Sequence, residues 1–234
     1  MAIEKLVAEA IKIYVEVDSF AAIIYLCEMD DPELTLNALT DAMKHKYWQE
    51  KDLVGALAFS RAGTHFGLQT ALQYDQSNPE LAYKLRSGAK SCAYDFASYV
   101  WTGWDEPGIT ITAADHAAGF DAARVNLRLA VELERGDLPT SRAHWMVGAY
   151  YLEDGAFDKA IESFEESMNY AKKADAQADE MLNQGYILVA RLLASPDDDN
   201  AQEEYKRLKA SFKTIENGED FIQQLETALK VFSS

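Results

Sequence analysis

Residues 144–167 read HWMVGAYYLEDGAFDKAIESFEES, and this stretch decides the fold class. A polar break at 153–155 separates two apolar segments. The second segment and the residues just after it carry apolar side chains that are 3, 1, 3, 4 and 3 positions apart. They are Phe157, Ala160, Ile161, Phe164, Met168 and Ala171. Steps of three and four place side chains on one face of an α-helix. The stretch therefore predicts two helices joined by a short turn.

The same periodicity runs through the rest of the chain. Residues 81–100 and 114–133 each carry one apolar face, whereas the nearest approach to strand-like alternation, 109–111, is too short to count. The predicted helices span about 3–16, 18–29, 33–49, 52–75, 79–102, 110–135, 140–153, 156–174, 176–194, 198–216 and 219–232. We therefore expect an all-α protein, with one domain over 1–234, more than about 65% helix and no sheet.

Proline marks where helices begin. Asp31-Pro32 and Asn78-Pro79 repeat one device, in which a side-chain oxygen caps the helix and proline occupies the first turn. The other prolines lie in polar breaks that we expect to separate helices: Pro107, Pro139 and Pro196.

The composition excludes several classes of partner and location. The net charge of −17 disfavours nucleic acids and anionic membranes, which need a basic footprint. The longest apolar run, 20–27, is far short of the roughly 20 residues that span a bilayer. Glutamates interrupt the first 16 residues, unlike a secretion signal. Cys27 and Cys92 lie in helical apolar patterns, so we expect buried reduced thiols, with a disulfide or reactive thiol as the alternative, and a cytoplasmic location.

Residues 144–167 resemble a tetratricopeptide repeat (TPR), a pair of helices with small and aromatic residues at fixed spacing. The matching residues, at offsets 0, 3, 7, 9, 12 and 16, are Gly148, Tyr151, Gly155, Phe157, Ala160 and Phe164. Weaker copies cover about 37–70 and 178–211. The resemblance implies antiparallel helix pairs stacked in a right-handed α-solenoid.

The resemblance also implies a binding surface, because the first helix of each repeat would line a concave face. It places there Asp41, His45 and Trp48 from the first copy, Arg142, Trp145 and Leu152 from the second, and Tyr186 from the third. The alternative is that these residues only pack between repeats. With a charge of −17, the expected ligand is a basic or mixed-charge, partly apolar protein segment.

Two other features have competing interpretations. A stripe of small residues on one helix face predicts close helix packing or, alternatively, a shallow ligand groove: Ala56, Ser60, Gly63, Gly67 and Ala71. Trp101 and Trp104 end a long helix, where they either cap the core or offer a partner contact.

The sequence contains no pattern that signals chemistry. The four histidines have no ligand-like spacing, and no nucleophile, phosphate-loop or dinucleotide motif occurs. We therefore expect no metal, no cofactor and no enzyme activity, and we expect a scaffold that binds a protein or peptide. The alternatives are a helical receptor for a small ligand and a self-associating structural subunit, such as a homodimer.

Overall fold

The fold is known from a computed structural model that describes residues 3–233. The all-α prediction is confirmed: 81% of the described residues are helical, and no strand occurs among them. The helices are α1 (Ile3–Glu16), α2 (Ser19–Cys27), α3 (Pro32–Trp48), α4 (Leu53–Tyr74), α5 (Pro79–Tyr99), α6 (Ala113–Glu132), α7 (Asp137–Glu153), α8 (Phe157–Lys173), α9 (Gln177–Ala194), α10 (Asp199–Phe212) and α11 (Gly218–Phe232).

The predicted caps are present. Asp31 accepts hydrogen bonds from the backbone N–H groups of Glu33 and Leu34 at 3.0 and 3.1 Å. Asn78 accepts one from Leu81 N–H at 3.1 Å, and a proline follows each cap. These side chains satisfy N–H groups that the first turn of a helix leaves without partners.

Several boundaries differ from the prediction; for example, the helix expected over 198–216 ends at Phe212. The helix expected over 79–102 ends at Tyr99, and a short 3-10 helix, Thr102–Trp104, follows it. Pro139, expected in a break, lies inside α7, which begins at Asp137. Proline is tolerated there because the N–H groups of the first helical turn have no partner within the helix.

The chain divides into two compact units, whereas we expected one domain over 1–234. Unit 1 consists of residues 1–100 and 108–133, and unit 2 consists of residues 101–107 and 134–234. The chain therefore leaves unit 1 after α5, contributes one short segment to unit 2, and returns to unit 1 with α6. Each unit is described separately below.

In unit 1, the stripe of small residues on α4 is a helix-packing surface. A Cβ atom on Gly63 would lie 2.8 Å from Cys92 Sγ, and one on Gly67 would lie 2.8 Å from the backbone oxygen of Leu85. Ser60 donates a hydrogen bond to the Cys92 carbonyl at 2.8 Å. Because α5 occupies this face, the alternative of an open ligand groove along the stripe is wrong.

In unit 2, α7 and α8 form the close helix pair that the sequence predicted. A Cβ atom on Gly148 would lie 2.8 Å from the Phe164 ring, so only glycine allows this approach. Gly155 has φ +69° in the turn, and Ala160 is fully buried. In the third copy, Gly185 approaches Leu225 of α11, whereas the repeat spacing would place it against α10.

An aromatic cluster fills the interior of unit 2. Trp101 is completely buried and donates its indole N–H to the Ala149 carbonyl at 3.0 Å. Its ring centroid lies 5.6 Å from that of Trp145 and 6.1 Å from that of Tyr186. Of the two interpretations of Trp101, the core role is therefore the correct one, and this side chain is not available to a partner.

Candidate functional site

The residues predicted to share one concave face belong to different units. Asp41, His45 and Trp48 lie on α3 in unit 1. The other four lie on α7 and α9 in unit 2: Arg142, Trp145, Leu152 and Tyr186.

Three of the four unit 2 residues are buried, which contradicts their predicted role as a binding surface. The exposed fractions are 6% for Trp145, 1% for Leu152 and 0% for Tyr186. Tyr186 stacks on Phe164 with ring centroids 5.2 Å apart, so it packs between helices, as the alternative interpretation held. Their apolar bulk is what builds the core of this unit.

Arg142 is the exposed member of the unit 2 set. Its side chain is 56% exposed, and its Nε atom lies 2.8 Å from Asp179 Oδ1 in an ion pair between α7 and α9. An exposed pair of this kind contributes at most about 1 kcal/mol to stability. We expected Arg142 to offer a basic surface to a ligand. Asp179 therefore already occupies part of that surface.

Trp48 in unit 1 is an exposed aromatic side chain held in a fixed orientation. It is 55% exposed. Its ring meets Tyr47 and Tyr99 edge-on, with centroids 4.8 and 6.1 Å apart. Lys51 Nζ lies 5.4 Å above the Trp48 ring, within cation–π range. A rotamer restrained in this way loses little entropy when a partner covers it.

Asp41 and His45 lie on the same face of α3 as Trp48, since four and three residues separate them. Together with α1 they line a shallow groove of about 450 Å³, whose other side is formed by Val7, Ala8 and Ile11. Glu4 of α1 also lines the groove, so its α1 side is apolar apart from one carboxylate and its α3 side is polar. His45 Nε2 lies 3.1 Å from Glu50 Oε1, which fixes its ring.

Beneath this face lies an ionic cluster that sequence reasoning missed, the Lys46 cluster of Tyr14, His45, Lys46, Glu50 and Asp52. The Lys46 side chain is 2% exposed, and its Nζ donates to Glu50 and Asp52, each at 2.7 Å. The same Nζ lies 4.0 Å from the centre of the Tyr14 ring. The contacts join the C-terminal ends of α1 and α3 to the start of α4.

The Lys46 cluster is built to keep its charges. Burial alone would lower the pKa of Lys46, but the hydrogen bonds and charges of Asp52 and Glu50 outweigh burial and raise it. Burial raises the pKa of Asp52, but hydrogen bonds from Lys46, the Gly55 N–H and Tyr14 bring it below its usual value. A lysine held charged is a poor nucleophile, so the cluster acts as a structural brace.

The elements that the Lys46 cluster joins carry exposed apolar side chains, which we call the apolar end. These are Val15 (70% exposed), Val17 (66%), Trp48 (55%) and Val54 (78%). Each lies within three residues of a member of the cluster, so the cluster brings them to one end of unit 1. Exposed apolar groups gathered at one place are typical of interaction sites.

The next helix extends this apolar character. On α2, Phe20 and Ile24 are one turn apart and are 76% and 56% exposed. The run of apolar residues at 20–27 signals this in the sequence, because a nine-residue surface helix that is apolar on all sides cannot bury them all. The length of the run excludes a membrane span but does not by itself reveal this exposed surface.

The segment that carries Val15, Val17, Phe20 and Ile24 is acidic, whereas Lys51 lies beside Trp48. Between Lys12 and Lys44 the sequence contains seven acidic residues and no lysine or arginine. The acidic residues are Glu16, Asp18, Glu28, Asp30, Asp31, Glu33 and Asp41. An apolar surface among carboxylates favours a partner that combines apolar and basic side chains, and it disfavours a second copy of itself.

Three further findings concern metal ligands, membrane spans and cysteines. Within residues 3–233, no group of three or more His, Cys, Asp or Glu side chains is placed to hold a metal ion. No helix in that part of the chain combines the length and apolarity needed to cross a bilayer. Both cysteines are free, and burial raises the pKa of Cys92 to about 11.

Comparison with known proteins does not assign a family. No protein-family profile and no curated protein matches the sequence.

Proposed function

We propose that this chain is a non-enzymatic cytoplasmic binding protein, built from helix pairs of the tetratricopeptide type, that binds a basic or mixed-charge, partly apolar protein segment. The observation that carries the proposal is the apolar end of unit 1, together with the acidic segment between Lys12 and Lys44 that contains Val15 and Val17. Trp48 is the anchor, and Val54 and the α2 residues extend its contact area.

Two physical arguments support this class of ligand. Tryptophan gives large energies at interfaces when a partner covers it, and Trp48 is already oriented by its aromatic neighbours. The acidic surroundings attract lysine and arginine and repel nucleic acids or acidic peptides. The spacing of the α7–α8 pair, with glycine facing Phe164, supports the likeness to TPR helix pairs.

The proposal is tested with a peptide of about 18 residues made of leucine and lysine, with leucine at helical spacing along one face. We expect saturable binding in fluorescence anisotropy and weaker binding at 1 M than at 0.1 M salt, since the screening length falls from about 10 to about 3 Å. A matched peptide with glutamate in place of lysine should not bind. Equal binding of both peptides would contradict the charge argument.

Variants then locate the site. Trp48→Ala should weaken binding by at least about 2 kcal/mol, roughly 30-fold, and Val54→Ser should weaken it less. Leu72→Ser is the matched control for Val54→Ser. Leu72 is 61% exposed and lies at the other end of α4, about 27 Å from Val54 along the helix. If Leu72→Ser weakens binding as much as Val54→Ser, with the fold intact by circular dichroism, the site lies elsewhere. Sedimentation velocity without peptide distinguishes the competing occupant, a second copy of the chain.

A further inference from the structure

Unit 2 contains a groove that the proposed function does not use. It lies between the C-terminal end of α9, α10 and the C-terminal end of α11, and its volume is about 590 Å³. Its apolar wall includes Leu192, Leu193, Leu229 and Phe232. The volume lies within the range of roughly 300–1,000 Å³ typical of small-molecule sites, which are mostly apolar with a few polar groups.

The polar side of the groove is basic. Lys206 and Lys209 of α10 line it, and with Lys213 they line an adjoining depression of about 400 Å³. Steps of three and four residues place the three lysines on one helix face. Lys209 Nζ is paired with Glu226 at 2.8 Å, and Glu219 also borders the depression. Lys206 and Lys213 make no ion pair within the described residues, so their charge is available to an anion.

A second observation points into the same place. Tyr205 lines the groove and is 6% exposed, and its hydroxyl makes no hydrogen bond within residues 3–233. Burial, with a smaller effect of Glu226, raises the pKa of Tyr205, so the hydroxyl stays protonated and keeps a proton to donate. A buried donor without an acceptor is unfavourable, and an oxygen acceptor brought into the groove is the partner that it lacks.

We propose that this groove binds a small amphipathic anion, an alkyl chain or aryl body that ends in one carboxylate. The apolar body lies against Leu193, Leu229 and Phe232, and the carboxylate lies at the lysine side, where it neutralises Lys206 and accepts a hydrogen bond from Tyr205. The site is independent of the apolar end, since all its residues belong to unit 2.

The probe is decanoate, used below its micelle concentration and measured by isothermal titration calorimetry on the full chain. We expect saturable binding with one site, and each methylene buried between octanoate and decanoate should tighten it about fourfold. Decanol lacks the charge and should bind at least tenfold more weakly than decanoate. Acetate lacks the chain and decyltrimethylammonium has the wrong charge, so both should also bind more weakly than decanoate. Equal affinity for decanoate and decanol would overturn the proposal.

Variants test each part of the groove. Lys206→Gln should weaken decanoate binding at least threefold and leave decanol unchanged, while Arg207→Gln, one residue along the same helix and outside the groove wall, should change neither. Tyr205→Phe should weaken decanoate binding without loss of the apolar wall. Leu193→Trp should block binding by filling the groove, and Leu229→Trp provides a second blocking variant if the first fails to fold. Unchanged binding in both tryptophan variants would overturn the proposal.

A competition experiment separates this inference from the proposed function. The leucine–lysine peptide should not displace decanoate, and Trp48→Ala should leave decanoate binding unchanged. Loss of peptide binding in that variant, with decanoate binding intact, would identify two separate sites. Displacement of decanoate by the peptide would place both ligands in one site.

Discussion

At the scale of single residues, small side chains set the distances between helices and large ones fill the space between them. Gly148 admits the Phe164 ring, and Gly63 admits Cys92 Sγ. The ring of His144 stacks on that of Tyr170 with centroids 5.5 Å apart. Burial lowers the pKa of His144, so it packs as a neutral aromatic group.

Enlarging Ala160 tests this packing. Ala160 is completely buried in α8, so Ala160→Leu should overpack the interior and lower the free energy of unfolding by about 1–3 kcal/mol. The matched control is Ala210→Leu, at an exposed position of α10 in the same unit, which should change stability by less than about 0.5 kcal/mol. Urea titration followed by circular dichroism measures both. Equal losses in the two variants would show that Ala160 is not at a tight helix contact.

At the scale of elements, the Lys46 cluster connects three helix ends through side chains rather than through the backbone. Asp52 has two roles in it, since Oδ1 caps α4 by accepting from Gly55 N–H at 2.9 Å and Oδ2 receives Lys46 at 2.7 Å. A buried lysine paired with carboxylates is stable only while all its partners are present. Removing one carboxylate leaves part of the lysine charge uncompensated.

The pKa of Asp52 gives a pH prediction. Because folding lowers this pKa below its unfolded value of about 3.9, the contribution of Asp52 to stability is fully present above pH 4 and is lost as the pH falls through the folded value. Asp52→Asn should therefore lower the free energy of unfolding by about 1–3 kcal/mol at pH 7 and reduce its decline below pH 4. Urea titrations at pH 7 and pH 3 measure both effects. Asp158→Asn, an exposed residue in the first turn of α8, is the control.

At the scale of the whole molecule, the chain path matters as much as the helices. Residues 101–107 belong to unit 2, although the helices before and after them belong to unit 1. Their contribution is substantial, since Trp101 is fully buried against Trp145, Tyr186 and the Ala149 carbonyl. Unit 2 is therefore not encoded by one continuous stretch of sequence.

A fragment of residues 134–234 should consequently be less stable than unit 2 in the full chain, because it lacks the Trp101 side chain. Removing a buried tryptophan costs about 3–5 kcal/mol. Trp101→Ala in the full chain should show a similar loss and serves as the comparison. Thermal unfolding followed by near-ultraviolet circular dichroism measures both. A fragment with the unfolding midpoint of the full chain would show that the 101–107 segment does not stabilise unit 2.

The helices, their caps and the tight α7–α8 contact could be predicted before the structure was known, because helical periodicity, capping residues and small-residue spacing are local signals within about one helix length. The acidic character of the chain is likewise evident from its composition. Side-chain accessibility could not be predicted in the same way: Trp48 stays on the surface, whereas Trp145 and Tyr186, which were expected on the same face, are buried. Burial depends on which helices meet, and contacts such as Trp101 with Ala149 or Lys46 with Tyr14 join residues far apart in the chain.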